Sequence, residues 1–221
     1  MRHLVWDWNG TLFDDLPLIV ESVNAALEAL GAPPVDAAVY RDRFRRPVVG
    51  FYEWMLDRAV SADEERLIDD RFFDHYHAGL GRVGLAGEAL EAVRAAEAAG
   101  ATQSILSMWW HDRLGAAVER LGLSPWMILV DGLQGPAGHS KADPLRHHLA
   151  RLDGSVPGLT AADVVVIGDV ADDARAAAEA GASCVLYDGG SQSRAVLERT
   201  GCPVVSSLVE AVGLAVGAPR R

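Results

Sequence analysis

The sequence predicts an α/β fold: a doubly wound, mostly parallel sheet with an α-helical insertion after its first strand. Three observations carry this. From about Leu85 onward, short apolar runs rich in β-branched residues alternate with amphipathic or Ala-rich stretches, the pattern of parallel strands and their crossover helices. A further strand-like run, Leu4–Trp6, stands near the N-terminus. Between these two parts the chain shows helical periodicity and nothing that reads as a strand. The predicted boundaries are residues 1–15 and 85–221 for the α/β core and 16–84 for the helical insertion.

The elements follow in order. Leu16 to Leu30 carries an apolar stripe (Leu16, Ile19, Val20, Val23, Ala26, Leu27, Leu30) and is closed by Gly31 and Pro33-Pro34. Two or three more helices extend to about residue 80, among them Val48–Val60 and Asp63–His77, the latter with an acidic first turn that suits the helix dipole. Glu88–Ala99 is an Ala-rich helix ended by Gly100, Gln103–Met108 a strand, His111–Leu121 a helix and Met127–Asp131 a strand. Asp143–Leu152 is predicted helical, Asp163–Ile167 a β-branched strand, and Asp172–Ala180 a helix ended by Gly181. Cys184–Tyr187 (strand), Gln192–Arg199 (helix), Val204-Val205 (short strand) and Leu208–Val216 (helix) complete the alternation, and Gly217–Arg221 reads as a frayed tail.

Composition narrows the function. A chain of 221 residues is one large domain or one domain carrying an insertion, long enough for a substantial core. No apolar run of about 18 residues exists, so no membrane span or membrane partner is expected. Met1-Arg2-His3 runs straight into the first strand without a signal-peptide pattern. With 20 basic against 31 acidic residues the formal charge is −11, which disfavours nucleic acid as a partner while leaving room for a local cationic pocket. Cys184 and Cys202 lack metal-ligand spacing and read as small buried hydrophobes in a reducing, cytoplasmic compartment. The paired His147-His148 lie in a predicted helix without ligand spacing and read as surface.

The chemistry gathers at strand ends, where open α/β sheets place their ligands. The first strand ends abruptly in Asp7, followed by the polar turn Trp8-Asn9-Gly10-Thr11. Asp7 suits a nucleophile, a metal ligand or both; the alternative is a turn whose Asp and Asn satisfy backbone groups. Ser107 ends a second strand, and Lys141 precedes a helix in the loop Gly138–Pro144. Gly168-Asp169-Val170-Ala171-Asp172-Asp173 ends another strand with three carboxylates, of which Asp172 reads best as a cap of the next helix. Oxygen-only ligands favour Mg²⁺, and a lysine, a hydroxyl and a hard cation around a carboxylate suit phosphoryl transfer.

These motifs resemble those of the haloacid dehalogenase superfamily of phosphatases, over essentially the whole chain. Asp7-Trp8-Asn9-Gly10-Thr11-Leu12, with Asp14 beyond it, is similar to that family's Asp-x-Asp-Gly-Thr motif; Ser107, Lys141 and Gly168-Asp169 to Asp173 match the other three in order and spacing. The helical insertion resembles the small cap of the phosphoglycolate phosphatase-like and β-phosphoglucomutase-like branch, on a Rossmann-like core. The resemblance implies a Mg²⁺-dependent hydrolase of a small phosphorylated metabolite, monomeric or homodimeric, that passes through a phospho-aspartate on Asp7. It implies metal ligation by Asp7, the Asn9 carbonyl and Asp169, with Asp173 supporting. It also implies phosphoryl binding by Gly10, Thr11, Ser107, Met108 and Lys141.

One position departs from the family pattern. Where the family has a second Asp, the general acid–base, this chain has Asn9, and an amide cannot exchange a proton in that role. Either another acid serves, such as Asp14, Asp15, His111 or an acidic group on the substrate, or the leaving group needs no proton, or the chain is an impaired relative that binds a phosphorylated ligand. Dehalogenation ranks below these, because Asp169 and Asp173 are retained. For the substrate, Arg45 and Arg46 in the charged stretch Arg41–Arg46 are candidate anion contacts, with a solvated charged face as the alternative. Trp109 and Trp110 cannot both face the same way, so one is a candidate for the cleft, and His111 is a candidate polar contact.

Overall fold

The computed structural model describes residues 1–135, 140–152 and 154–217. Gly138 and His139 of the Lys141 loop, and residues 218–221 of the tail, lie outside the described residues. The chain begins with β1 (His3–Trp6) and then forms four helices, α1 (Leu16–Ala29), α2 (Ala37–Arg43), α3 (Val49–Leu56) and α4 (Ala62–Gly79). The alternating part follows: α5 (Ala89–Ala98), β2 (Thr102–Trp110), α6 (His111–Arg120), β3 (Leu129–Leu133), α7 (Ala142–Leu152), β4 (Val164–Gly168), α8 (Ala171–Ala180), β5 (Ser183–Tyr187), α9 (Arg194–Leu197), β6 (Val204–Val205) and α10 (Leu208–Gly217).

The six strands form one parallel sheet in the order β3-β2-β1-β4-β5-β6. β1 is therefore central, and the strand order reverses across it, which creates the crevice where such sheets bind ligands. Register sets the crevice floor: Trp6 lies level with Ile105 of β2 and with Ile167 of β4, so Asp7, Ser107 and Asp169 emerge side by side.

Strand alternation separates two core layers. Leu4, Trp6, Ile105, Val165 and Ile167 point to one face, where α5, α6 and α10 pack. Val5, Leu106, Val164 and Val166 point to the other, against α7, α8 and α9. The four helices between residues 16 and 79 bury a third cluster of their own, including Val23, Leu27, Tyr40, Phe51, Tyr52 and Ile68. α4 opens with a capping box in which Ser61 and Glu64 satisfy each other's backbone N–H groups, and Asp36 caps α2 by accepting from Val39 N at 2.8 Å.

Several expected boundaries shift for identifiable reasons. α3, expected over Val48–Val60, ends at Leu56, because Asp57 turns left-handed (φ 51°). β3 starts at Leu129, two residues late, because a 3₁₀ turn at Ser124–Trp126 occupies the approach. α9 is one turn long, extended by a 3₁₀ turn at Glu198–Thr200. Gln192, expected inside that helix, instead accepts from Ala171 N at 2.7 Å and donates to the Phe44 carbonyl at 2.9 Å.

His148 corrects the surface reading of the histidine pair: His147 is exposed, but His148 is buried. It sits in a polar chain through the sheet. The Ser104 hydroxyl bridges His3 Nε2 (2.8 Å) and His148 Nε2 (2.7 Å), and His148 Nδ1 meets Asp131 at 2.7 Å. Burial, with His148 nearby, pushes the His3 pKa down from 6.5 to about 4. His3 is thus neutral when folded, whereas the unfolded chain takes up a proton below pH 6.5. Stability should therefore fall as pH drops from about 6.5 toward 4, by up to about 3 kcal/mol from this group. Thermal melts of the parent and of His3→Gln over this range should differ in slope, the variant losing less stability on acidification. Parallel pH profiles would refute a neutral buried His3.

Candidate active site

The crevice floor is built by three strand ends and one lysine. Asp7 continues β1 through a backbone bond to the Ile167 carbonyl (2.8 Å). Lys141, buried at the N-terminal end of α7, donates to Asp7 and, at 2.8 Å, to Asp173. Ligand oxygens of Asp7, Asp169 and Asp173, all buried, lie within 4.8 Å of one another. Burial would push the Lys141 pKa down, but the charges of Asp173 and Asp7 outweigh it and hold the group protonated. One ammonium does not balance three carboxylates. Burial first, then the neighbouring acids, push Asp169 well above the ordinary carboxylate range; Asp7 is also raised, by burial and Asp173, although Lys141 opposes the shift. A buried, all-oxygen donor set with this charge excess fits a hard divalent cation such as Mg²⁺.

Each acid is fixed by its own loop. Asp169 accepts from Ser191 N at 2.5 Å and from Thr11 Oγ1 at 3.4 Å. Gly10 (φ 73°) and Gly190 make this possible, because a Cβ at either would collide with the Asp169 carboxylate. Asp173 closes the first turn of α8 by accepting from Val170 N at 3.2 Å. The capping role expected of Asp172 thus belongs to Asp173; Asp172 accepts from Lys141 N at 3.1 Å and pairs with Arg175. The reason is phase: helical geometry begins at Ala171, so the third helical position, which reaches back, is 173.

Asn9 is bound on both sides of its amide. Its Oδ1 accepts from Ser107 Oγ at 3.3 Å, and its Nδ2 donates to Asp15 at 2.7 Å and to the Tyr76 hydroxyl at 3.0 Å. Asp15 is wholly buried and also accepts from Gly10 N (2.9 Å) and Tyr76 (2.5 Å). Burial raises its pKa to about 6 against the pull of those hydrogen bonds, Tyr76 first. Of the three alternative acids, Asp15 lines the cavity above the floor; Asp14 is exposed, and His111 accepts from Gly132 N at 3.2 Å, away from it.

That cavity has a volume of about 390 Å³ and lies between the crevice and the helices of residues 16–79. It brings together Asp7, Asn9, Ser107, Met108, Lys141, Asp169 and Asp173, and adds Arg46 and Trp109. Gly10 and Thr11 are not among its lining residues: the Gly10 N–H is taken by Asp15 and Phe13, and the Thr11 hydroxyl by Asp169. Arg45 turns away onto the Gly50 carbonyl, so of the two arginines Arg46 faces the site. The tryptophans divide as their adjacency requires, with Trp109 in the cavity wall and Trp110 exposed. Sequence reasoning missed Tyr76, hidden in a helical apolar stripe, and Ser191, whose backbone N–H holds Asp169. The Gly189-Gly190 pair after β5 was the available signal for the latter.

Comparisons with known proteins agree with this arrangement. Residues 1–181 match the family model of haloacid dehalogenase-like hydrolases. The chain is 31% identical over 212 residues to a phosphoglycolate phosphatase of Mesorhizobium japonicum, covering 92% of this chain and 89% of that protein. Its fold is similar to a putative phosphoglycolate phosphatase of Lactobacillus delbrueckii subsp. bulgaricus (TM-score 0.81, 16% identity, 98% and 99% of the two chains). It is also similar to a family hydrolase of Deinococcus radiodurans with bound phosphate and sodium (TM-score 0.70, 22% identity, 98% and 96%). The chain belongs to the haloacid dehalogenase-like hydrolase family.

Proposed function

We propose that this chain is a Mg²⁺-dependent phosphomonoester hydrolase that works through a phospho-aspartate on Asp7. The observation that carries the reading is Asp7 at the reversal of strand order, held by Lys141 within a buried oxygen cluster. The Mesorhizobium relative supports a phosphorylated substrate. Asp7, the Asn9 carbonyl, Asp169 and Asp173 would hold the cation, which neutralises phosphoryl charge when bound. An Asp7 oxygen attacks phosphorus as the ester oxygen leaves; water then attacks the same phosphorus, releasing phosphate and restoring Asp7. Lys141 and Ser107 hold the phosphoryl oxygens, and Lys141 keeps Asp7 ionised. Residues 16–84 act as a cap over this floor, limiting water while the acyl phosphate exists. No helix among the described residues is long and apolar enough to cross a membrane, and we place the enzyme in the cytoplasm.

Asn9 favours leaving groups that depart unprotonated. Its amide hydrogens are spent on Asp15 and Tyr76, and it has no proton to exchange. The same residue motivates the second reading, a phospholigand-binding protein without turnover, which a phosphometabolite panel with Mg²⁺ separates from the first.

Asp7→Asn should abolish phosphatase turnover while circular dichroism stays that of the parent; retained activity would refute the nucleophile. Excess chelator should stop turnover, and Asp169→Ala should weaken Mg²⁺ binding, read by calorimetry, more than Asp172→Ala does. Aryl phosphates should turn over faster than alkyl phosphates. Asn9→Asp should narrow that gap by up to the roughly 10²- to 10⁴-fold worth of general acid–base catalysis. Mass spectrometry must confirm that Asn9 has not deamidated; fast alkyl phosphate hydrolysis by verified Asn9 protein, with nothing added by Asn9→Asp, would mean another group already supplies the proton.

A further inference from the structure

We propose that the alcohol half of the substrate is aromatic, so that the enzyme acts on aryl phosphates of one or two rings; this rests on the phosphohydrolase reading above. The walls of the cavity carry the argument. Opposite the polar floor, the helical part presents Phe51, Phe72, Phe73 and Tyr76, and the core adds Trp109. Phe72 and Tyr76 stack at 5.6 Å, and Tyr76 meets Trp109 edge-on at 6.3 Å, so the walls are preformed aromatic surfaces. Phe73 and Val48, both cavity-lining, remain 39% and 43% exposed, apolar surface that a ring would cover.

Charge and size point the same way. The charged side chains that residues 16–84 contribute to the lining are Arg46 and Asp69, which offset each other; the buried Asp15 belongs to the floor. Lys141 lies at the floor against Asp7 and Asp173, where the phosphoryl group is held, and not on the helical walls. A small, strongly anionic leaving group would meet little net positive charge there. A cavity of about 150 Å³ accommodates benzene, so about 390 Å³ has room for a phosphoryl group and one or two rings.

Leaving-group chemistry supplies a second, independent line. As the Asp7–phosphorus bond forms and the ester bond breaks, the electron pair departs on a phenolate oxygen, stabilised by the ring. The phenolate takes its proton from water after release. Water supplies the oxygen of the phosphate, and the sum is an aryl phosphate plus water giving a phenol plus phosphate. That step does not require the proton that Asn9 cannot give.

The test compares kcat/KM for 2-naphthyl phosphate, acetyl phosphate and 2-phosphoglycolate with Mg²⁺. Acetate is a better leaving group than naphtholate, so bond cleavage alone would favour acetyl phosphate. We expect 2-naphthyl phosphate to exceed both by about 10-fold or more, the effect of burying a ring. Phe73→Ala should lower the naphthyl-to-acetyl ratio about 10-fold. A ratio measured on one preparation does not depend on the fraction folded. Acetyl phosphate or 2-phosphoglycolate turning over as well as 2-naphthyl phosphate, or a ratio unmoved by Phe73→Ala, would overturn the aromatic assignment and leave the phosphohydrolase reading intact. No turnover of any of the three would overturn both.

Discussion

The structure depends on one buried cation. Lys141 is removed from water at the start of α7 and touches two carboxylates, with a third alongside. A lone buried ammonium would cost several kcal/mol and would tend to lose its proton. Here the reverse holds, because the acids outnumber it. The acids in turn are tolerable because each has fixed donors: Asp173 the first turn of α8, Asp169 the Ser191 amide and Thr11. The parallel sheet makes the arrangement possible by bringing strand ends distant in sequence to one level. The charge excess that remains is what a divalent cation would relieve.

Around this floor, Asn9 and Asp15 behave as a matched pair. A carboxylate at position 9 would face the Asp15 carboxylate across the present 2.7 Å hydrogen bond, and one of them would have to stay protonated. The amide avoids the conflict: it accepts from Ser107, donates to Asp15 and needs no proton. Asp15, with Tyr76 and the Gly10 amide as further donors, fixes the orientation of the Asn9 side chain. The substitution that removes an acid thus leaves the backbone of the first motif well ordered.

The fold and the floor were legible because both rest on local patterns. Apolar strands that end in Asp7, Ser107 and Gly168-Asp169, and a lysine at a helix start, are visible as short motifs, and parallel alternation decides that they converge. What was not legible depended on side-chain direction in irregular backbone. Arg45 and Arg46 are adjacent in a charged run, and no periodicity says which one turns onto Gly50. His148 looked like surface because its partners, Ser104 and Asp131, come from strands far away in the sequence. Asp172 and Asp173 exchange roles on a one-residue shift of the helix start. Tyr76 reads as one more apolar residue of an amphipathic helix until the tertiary structure sets its hydroxyl against Asp15.

The helical part and the core are joined near the same site. Gln192 donates to the Phe44 carbonyl, Ser193 N donates to the Arg41 carbonyl (3.1 Å), and Arg41 reaches the Asp188 carbonyl. The loop that makes these bonds also carries Ser191, which holds Asp169. Movement of the helices would therefore pull on the acidic floor as well as uncover it. A floor of charge is served best when water is scarce, because its interactions strengthen as the local dielectric falls. The apolar helical face opposite supplies that dryness, and Tyr76 is where the two meet: its ring belongs to the aromatic wall and its hydroxyl to the Asp15–Asn9 network. The aromatic wall and the polar floor therefore share one residue, and a change in the packing of the first is felt in the hydrogen bonding of the second.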